Sequence, residues 1–310
     1  MHAPKRDTYQ VITDAILASL DNCGQYERPC QRSGLPLTMP KNAVTGRRYR
    51  GSNIVMLWVA AQDAGYSDNR WATFRQWAEK GASVRKGEKG TPVLWFQMLD
   101  RKDGADESDR KLPCVRLSWV FNVAQIDGYA ADAVQLENQV TPVEQADALL
   151  TASGASITHS GDSAYYRPGT DQIVLPPREA FTGTATMTAT EAYYATACHE
   201  LVHWTGPRLQ RDLGKRFGDD AYAAEELVAE LGAAFLCATL GISSEPRMDH
   251  VAYLAHWSRM LRSDRRAFVT AASKASEACD LLLAFVEADA AELEQAVCRP
   301  PCGWWVRFVR

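Results

Sequence analysis

The sequence predicts an α+β protein in two parts, an α/β N-terminal domain followed by a mostly helical one. Strand-like apolar segments set between Gly-rich turns fall before residue 178, whereas beyond residue 189 the chain is Ala-rich and helical in pattern. Charge divides the same way: residues 1–99 hold 14 Lys and Arg against 8 Asp and Glu, and residues 100–310 hold 20 against 30. A chain of 310 residues with 46% hydrophobic and 23% charged residues is globular and long enough for two domains with separate cores. Domains are expected at 1–135 and 143–296, with a tail at 297–310.

Ile12, Ile16, Leu17 and Leu20 recur at helical spacing, so a first helix is expected over residues 7–20. The following loop, to Asn53, is too rich in Gly, Pro and Asn to be one regular element, and it leads into an apolar helix, IVMLWVAAQDAG. Another helix is expected near WATFRQWAEKG, then a Gly-containing turn, SVRKGEKG, feeding the strand TPVLWFQML. Residues 100–111 are almost wholly polar and predict a mobile hairpin tip before the strand VRLSWVFNVAQIDG. The domain boundary is placed at 130–142, where strand character stops. A helix, VEQADALLTASG, and two strands, ASITHSG and DQIVLPP, open the second half; the latter suits an edge strand able to pair with an extended peptide or an ordinary core strand.

No apolar run approaches the length needed to cross a bilayer, and MHAPKRDTYQ lacks the apolar stretch of a secretory signal, so no membrane partner and a cytoplasmic location are expected. Eight scattered cysteines suit reduced thiols in such a compartment. The CRPPC pair near the end reads as two free thiols rather than a metal site.

The chemistry sits in HELVH. His199 and His203 are four residues apart, so on a helix both imidazoles leave one face and can meet one Zn²⁺. Glu200 lies beside them, where a carboxylate can take a proton from water activated by the metal. A third protein ligand is expected from AEELVAELGAAF, in which Glu225, Glu226 and Glu230 stand among small apolar residues and would be costly to bury without a cationic partner. Glu226 is assigned as ligand and Glu230 as acceptor for a ligand histidine's other N–H, with the reverse assignment open. Zinc is the default for His/His/Glu, and Mn²⁺ or Co²⁺ could take the same geometry. His159, His250 and His256 are given no role.

The basic first half predicts an anionic partner. Single-stranded nucleic acid is held by a basic groove and aromatic faces, and residues 41–95 interleave the two. The candidates are Arg47, Arg48, Tyr49, Arg50, Asn53, Trp71, Trp77, Lys86 and Lys89. Gly46 and Gly51 would let the RRYR backbone approach a ligand closely, and Asn53 could cap a helix or touch a phosphate. Trp58, in an apolar helix, and Trp95, in a strand, suit core packing better.

The segments YYRPGTDQIVLPP, YYATACHELVHWTG and YAAEELVAELGAAFL, with HVAYLAHWSRML after them, resemble the C-terminal domain of the ArdC-type antirestriction proteins of conjugative plasmids. TGRRYRGSNIVMLW and WATFRQWAEKGASVRKGEKGTPV extend the resemblance to the N-terminal half, over roughly residues 7–285 in all. It implies a single-stranded-DNA-binding domain, of a kind also attached to plasmid primases, followed by a zincin-like metallopeptidase fold related to the ImmA/IrrE peptidases. In those peptidases the third ligand comes from an E-x-x-A-N stretch; Glu226-Leu-Val-Ala229-Glu230 fits that frame with Glu230 where relatives often have Asn. The resemblance implies protection of incoming plasmid DNA from host restriction. A DNA-guided protease that cleaves a host protein is the alternative.

Overall fold

The computed structural model describes residues 7–23, 38–100, 111–129, 141–183, 187–213, 220–242 and 261–297. Most of the polar tip and of the expected domain boundary, His250, His256 and the CRPPC tail lie outside these residues.

Helix α1 (Thr8–Cys23) buries Ile12, Ile16 and Leu17, as their spacing requires. It is followed by β1 (Lys41–Asn42), α2 (Ser52–Ala64), β2 (Arg70–Thr73), α3 (Phe74–Glu79), β3 (Ser83–Val84), β4 (Thr91–Asp100), β5 (Lys111–Asn122) and β6 (Ile126–Asp127). Four strands form one sheet in the order β1-β2-β5-β4, with β1 parallel to β2 and the other pairs antiparallel. Strands β3 and β6 pair separately. Helix α2 covers one sheet face, setting Leu57 and Ala61 on Trp71, Val93 and Val120.

The helix expected near 71–81 is shorter, for a local reason. The Thr73 hydroxyl accepts from the Gln76 backbone N–H while the Gln76 side-chain oxygen accepts from the Thr73 N–H, a reciprocal cap that starts the helix at Phe74. Residues Arg70–Thr73 therefore stay extended and join the sheet, with Trp71 opposite Asn122.

The second half opens with α4 (Pro142–Ser153), then β7 (Ser156–His159), β8 (Tyr165–Arg167) and β9 (Gln172–Leu175). Their sheet order is β7-β9-β8. DQIVLPP is thus the central strand, with Ile173, Val174 and Leu175 buried, and the edge strands are β7 and β8, the latter not predicted by periodicity. Helices α5 (Ala189–Arg208), α6 (Asp220–Leu240) and α7 (Ala267–Val297) pack against one another. Where α5 meets α6 the backbones are close: a Cβ on Gly232 would fall 2.6 Å from Cγ2 of Val202.

The cores are not separate. One apolar cluster joins Ile12 and Ile16 of α1, Ile54 and Trp58 of α2 and Leu94 of β4 to Leu201, Phe235 and Ala272 of the helical half. Polar contacts reinforce the joint. Arg50 pairs with Asp280, the Gly51 N–H donates to Ser276 Oγ at 2.9 Å, and Arg48 donates to Thr239 Oγ1 at 3.4 Å. Gly51, at φ 58°, lies near enough to α7 that a Cβ added there would come 3.9 Å from the Ser273 backbone.

Candidate metal centre

The Thr188 side chain caps the start of α5 together with Glu191, and three turns later the helix presents His199 and His203 on one face. Their Nε2 atoms converge to 3.1 Å. Glu226, reaching from α6, sets its two carboxylate oxygens 3.5 Å from His199 Nε2 and 3.5 Å from His203 Nε2. Donors held at Zn–N and Zn–O distances of about 2.0–2.1 Å in a tetrahedral shell are separated by roughly 3.3–3.4 Å. The Nε2–Nε2 separation and the two Nε2–carboxylate separations, made by different oxygens of Glu226, are of that size, so His199, His203 and Glu226 could together hold one small divalent ion.

The far side of each imidazole faces a carboxylate. His199 Nδ1 lies 3.6 Å from Glu230 Oε1, and His203 Nδ1 lies 3.3 Å from Glu225 Oε1. Such partners fix ring orientation and raise ligand basicity. The geometry sets Glu226 on the Nε2 side and Glu230 on the Nδ1 side. Glu225 is itself held by Arg211, which gives Nη2 to Oε1 at 2.8 Å and Nε to Oε2 at 3.1 Å. The same guanidinium donates to Thr205 Oγ1 at 2.8 Å and to the Val202 carbonyl at 2.6 Å, tying α6 to the end of α5. Sequence reasoning gave Glu225 no task and missed Arg211, which lies beyond the helix in a segment whose local pattern marks nothing.

The charges follow from this packing. Burial opposes a proton on His203, but Glu225 and Glu226 outweigh it and raise its pKa to about 10. Burial opposes ionisation of Glu226 too, yet hydrogen bonds from His199 and His203 hold its carboxyl well below the usual range. Glu200 is different: it is buried beside the histidines, and burial pushes its carboxyl up despite their charge and a hydrogen bond from the Tyr166 backbone on β8. The centre favours a cation, held beside a carboxylate of raised proton affinity.

The residues expected to touch nucleic acid are scattered, and several are committed elsewhere. Trp71 and Trp77 are each 0% exposed. Trp71 sits under α2, and Trp77 gives its indole N–H to the Phe121 carbonyl at 3.1 Å, so neither offers a face for stacking. Tyr49 is half-buried, packs against the joining cluster and the α2–sheet cluster, and donates its hydroxyl to the Trp71 carbonyl at 3.3 Å. Asn53 uses both amide atoms on the open edge of β4, accepting from the Leu94 N–H at 2.7 Å and donating to the Leu94 carbonyl at 2.8 Å. Arg47, Arg48, Arg50, Lys86 and Lys89 are exposed.

Trp58 is buried as expected, but Trp95 is not: it is 53% exposed, with Phe96 at 57%, Trp119 at 54% and Phe74 at 61%. Strand periodicity could not separate Trp95, Phe96 and Trp119 from core aromatics, because the sheet is covered by α2 over only part of one face, while Phe74 is the first residue of α3.

Two histidines four apart on one helix, a carboxylate from the next and a small mixed sheet beside them define a zincin-like domain, here preceded by an α/β unit. The chain belongs to the ArdC family of antirestriction proteins. Residues 6–121 match the N-terminal domain of anti-restriction factor ArdC, and residues 144–274 match the zincin-like metallopeptidase family. Similar solved structures are two of the antirestriction ArdC protein from plasmid R388. The metal-free one is 38% identical with a TM-score of 0.72, covering 91% of this chain and 98% of that one. The Mn(II)-bound one is 38% identical with a TM-score of 0.70, covering 90% and 98%. Protein y4eC of Sinorhizobium fredii is 41% identical over 285 residues, 88% of this chain and 91% of that protein. A DNA primase TraC of Escherichia coli is 38% identical over 302 residues, of which the chain spans 20% of the primase's length.

Proposed function

We propose that this protein binds single-stranded DNA through its N-terminal half and protects incoming plasmid DNA from host restriction, with the metal centre carried on the same body. One observation supports the DNA contact most: large aromatics are exposed next to basic side chains on the N-terminal sheet. In the β4–β5 pairing Trp95 stands directly opposite Arg116 on one face. On the other, Trp119 lies against Gly90, at the foot of the turn that exposes Lys86 and Lys89. Exposed rings beside cations suit the unstacked bases and phosphates of a single strand. These aromatics replace Tyr49, Trp71 and Trp77 in that role, while Lys86 and Lys89 keep theirs.

The reading is tested with the full chain on fluorescent single-stranded and duplex DNA of matched sequence at two salt concentrations. A preference for the single strand, weakened by salt and by Trp95→Ala or Trp119→Ala, is expected. Equal, purely salt-driven binding to both forms, unaffected by these variants, would overturn it.

A second reading, a DNA-guided metallopeptidase acting on a host protein, is favoured by Glu200. His199, His203 and Glu226 would hold Zn²⁺, Mn²⁺ or Co²⁺, and such an ion supplies Lewis acidity and a lowered pKa for a coordinated water. The residues would do the rest: Glu225 and Glu230 would orient the two imidazoles, and Glu200, buried and raised in proton affinity, would accept and return a proton during peptide hydrolysis. Glu200→Gln should keep metal and DNA binding while removing hydrolysis. Antirestriction that survives this substitution assigns protection to DNA binding alone; antirestriction lost with DNA binding intact assigns it to proteolysis.

A further inference from the structure

A cavity of about 330 Å³ lies where the RRYR loop meets α6 and α7, outside the metal centre. Its size is at the lower end of the range for small-molecule pockets, about 300–1,000 Å³. The wall is of two kinds. Met39, Ile54, Phe235 and Leu283 supply an apolar floor, while Arg47, Arg48 and Arg50 stand at the rim. Asp280 also lines it and pairs with Arg50, so that the carboxylate offsets one guanidinium and two remain in excess. Thr239, whose hydroxyl accepts from Arg48, lines the α6 side.

An apolar slot under a doubly basic rim fits a flat ring carrying a phosphate. We infer that this cavity takes one unstacked nucleotide of a DNA strand, its base against the half-buried Met39 and Leu283 and its phosphate on Arg47 and Arg48. Asp280 and the hydroxyl of Thr239 supply hydrogen-bonding groups that the polar edge of a base can meet, which a bare anion site or a purely apolar pocket would lack. The inference rests on the DNA-binding reading and deepens it. It assigns the RRYR loop to holding one nucleotide at the joint, and leaves stacking of the remaining strand to Trp95 and Trp119.

The test uses the full chain and two probes. The first is a single-stranded 12-mer carrying one 2-aminopurine, read by its emission on binding; the second is thymidine 5′-monophosphate, read by calorimetry against inorganic phosphate. Leu283→Trp fills the cavity from α7 without replacing an arginine or an arginine's partner, and Thr239→Phe fills it from the opposite wall while also removing the hydroxyl to which Arg48 donates. Circular dichroism selects whichever variant folds as wild type. The expected result is an emission change and a mononucleotide heat in wild type, both lost in the filled variant, with 12-mer affinity reduced at least fivefold. A filled variant that binds both probes like wild type overturns the pocket and leaves the DNA reading intact. Mononucleotide binding without 12-mer binding keeps the pocket and overturns the DNA reading; a wild type that binds neither overturns both.

Discussion

At the scale of single residues, the two histidines were legible because a spacing of four on a helix is a geometric statement, and Glu226 because a carboxylate in an Ala/Leu/Val helix needs a cation. The aromatics were not, since burial of Trp71 and exposure of Trp95 depend on which part of the sheet α2 covers. The raised pKa of His203 gives a prediction with a definite sign. Below a pKa of about 10 the metal-free side chain carries a proton that a metal ligand cannot keep. Loading with Zn²⁺ at pH 7 should therefore release about one proton per site, and apparent affinity should rise about tenfold per pH unit toward that pKa. Titration calorimetry in buffers of different ionisation heat reads the number directly, and a value near zero would show that His203 is already neutral. Glu225→Ala should destabilise the fold by about 3–5 kcal/mol, since it leaves Arg211 buried without its partner. Urea denaturation measures it; a loss under 1 kcal/mol would mean that Arg211 finds another acceptor.

At the scale of elements, most helices were visible from periodicity, and the long strand pair from alternation between turns. The missed pieces are short: β8 is three residues long and forms by pairing with β9, and β2 stays extended because the local Thr73–Gln76 cap starts the helix only at Phe74. This separates two substitutions that the sequence could not. Trp71→Ala should lower stability by about 3–5 kcal/mol, as removal of a buried Trp does. Trp95→Ala should change stability by under about 0.5 kcal/mol. A thermal melt of each variant settles the contrast. Gly232 makes a second case. A methyl group there would drive into Val202, next in sequence to His203, so Gly232→Ala should push α6 from α5, cost about 1–3 kcal/mol and weaken metal binding. Gly232→Ala paired with Val202→Ala should recover much of both losses; failure to recover would place the fault elsewhere than in helix spacing.

At the scale of the whole molecule, the sequence pointed to two domains, and what it could not show is the cluster that runs between them. Ile12 and Ile54 come from helices α1 and α2 and Leu94 from strand β4, all in the N-terminal half, but they share one apolar cluster with residues of α5, α6 and α7. Unfolding of the full chain should be a single cooperative transition by both near- and far-ultraviolet circular dichroism, and a fragment ending at residue 140 should melt at lower temperature, if it folds at all. Two separated transitions in the full chain would contradict this. The same cluster bears on how such a protein can be inherited. A recombination event that cut near the middle would hand each descendant a raw apolar face, whereas cuts at the two ends would transfer a finished body. Two Escherichia coli primases align with 91% of this chain, at 38% and 36% identity, within a far longer polypeptide. Both halves lie together there, as a shared apolar cluster favours.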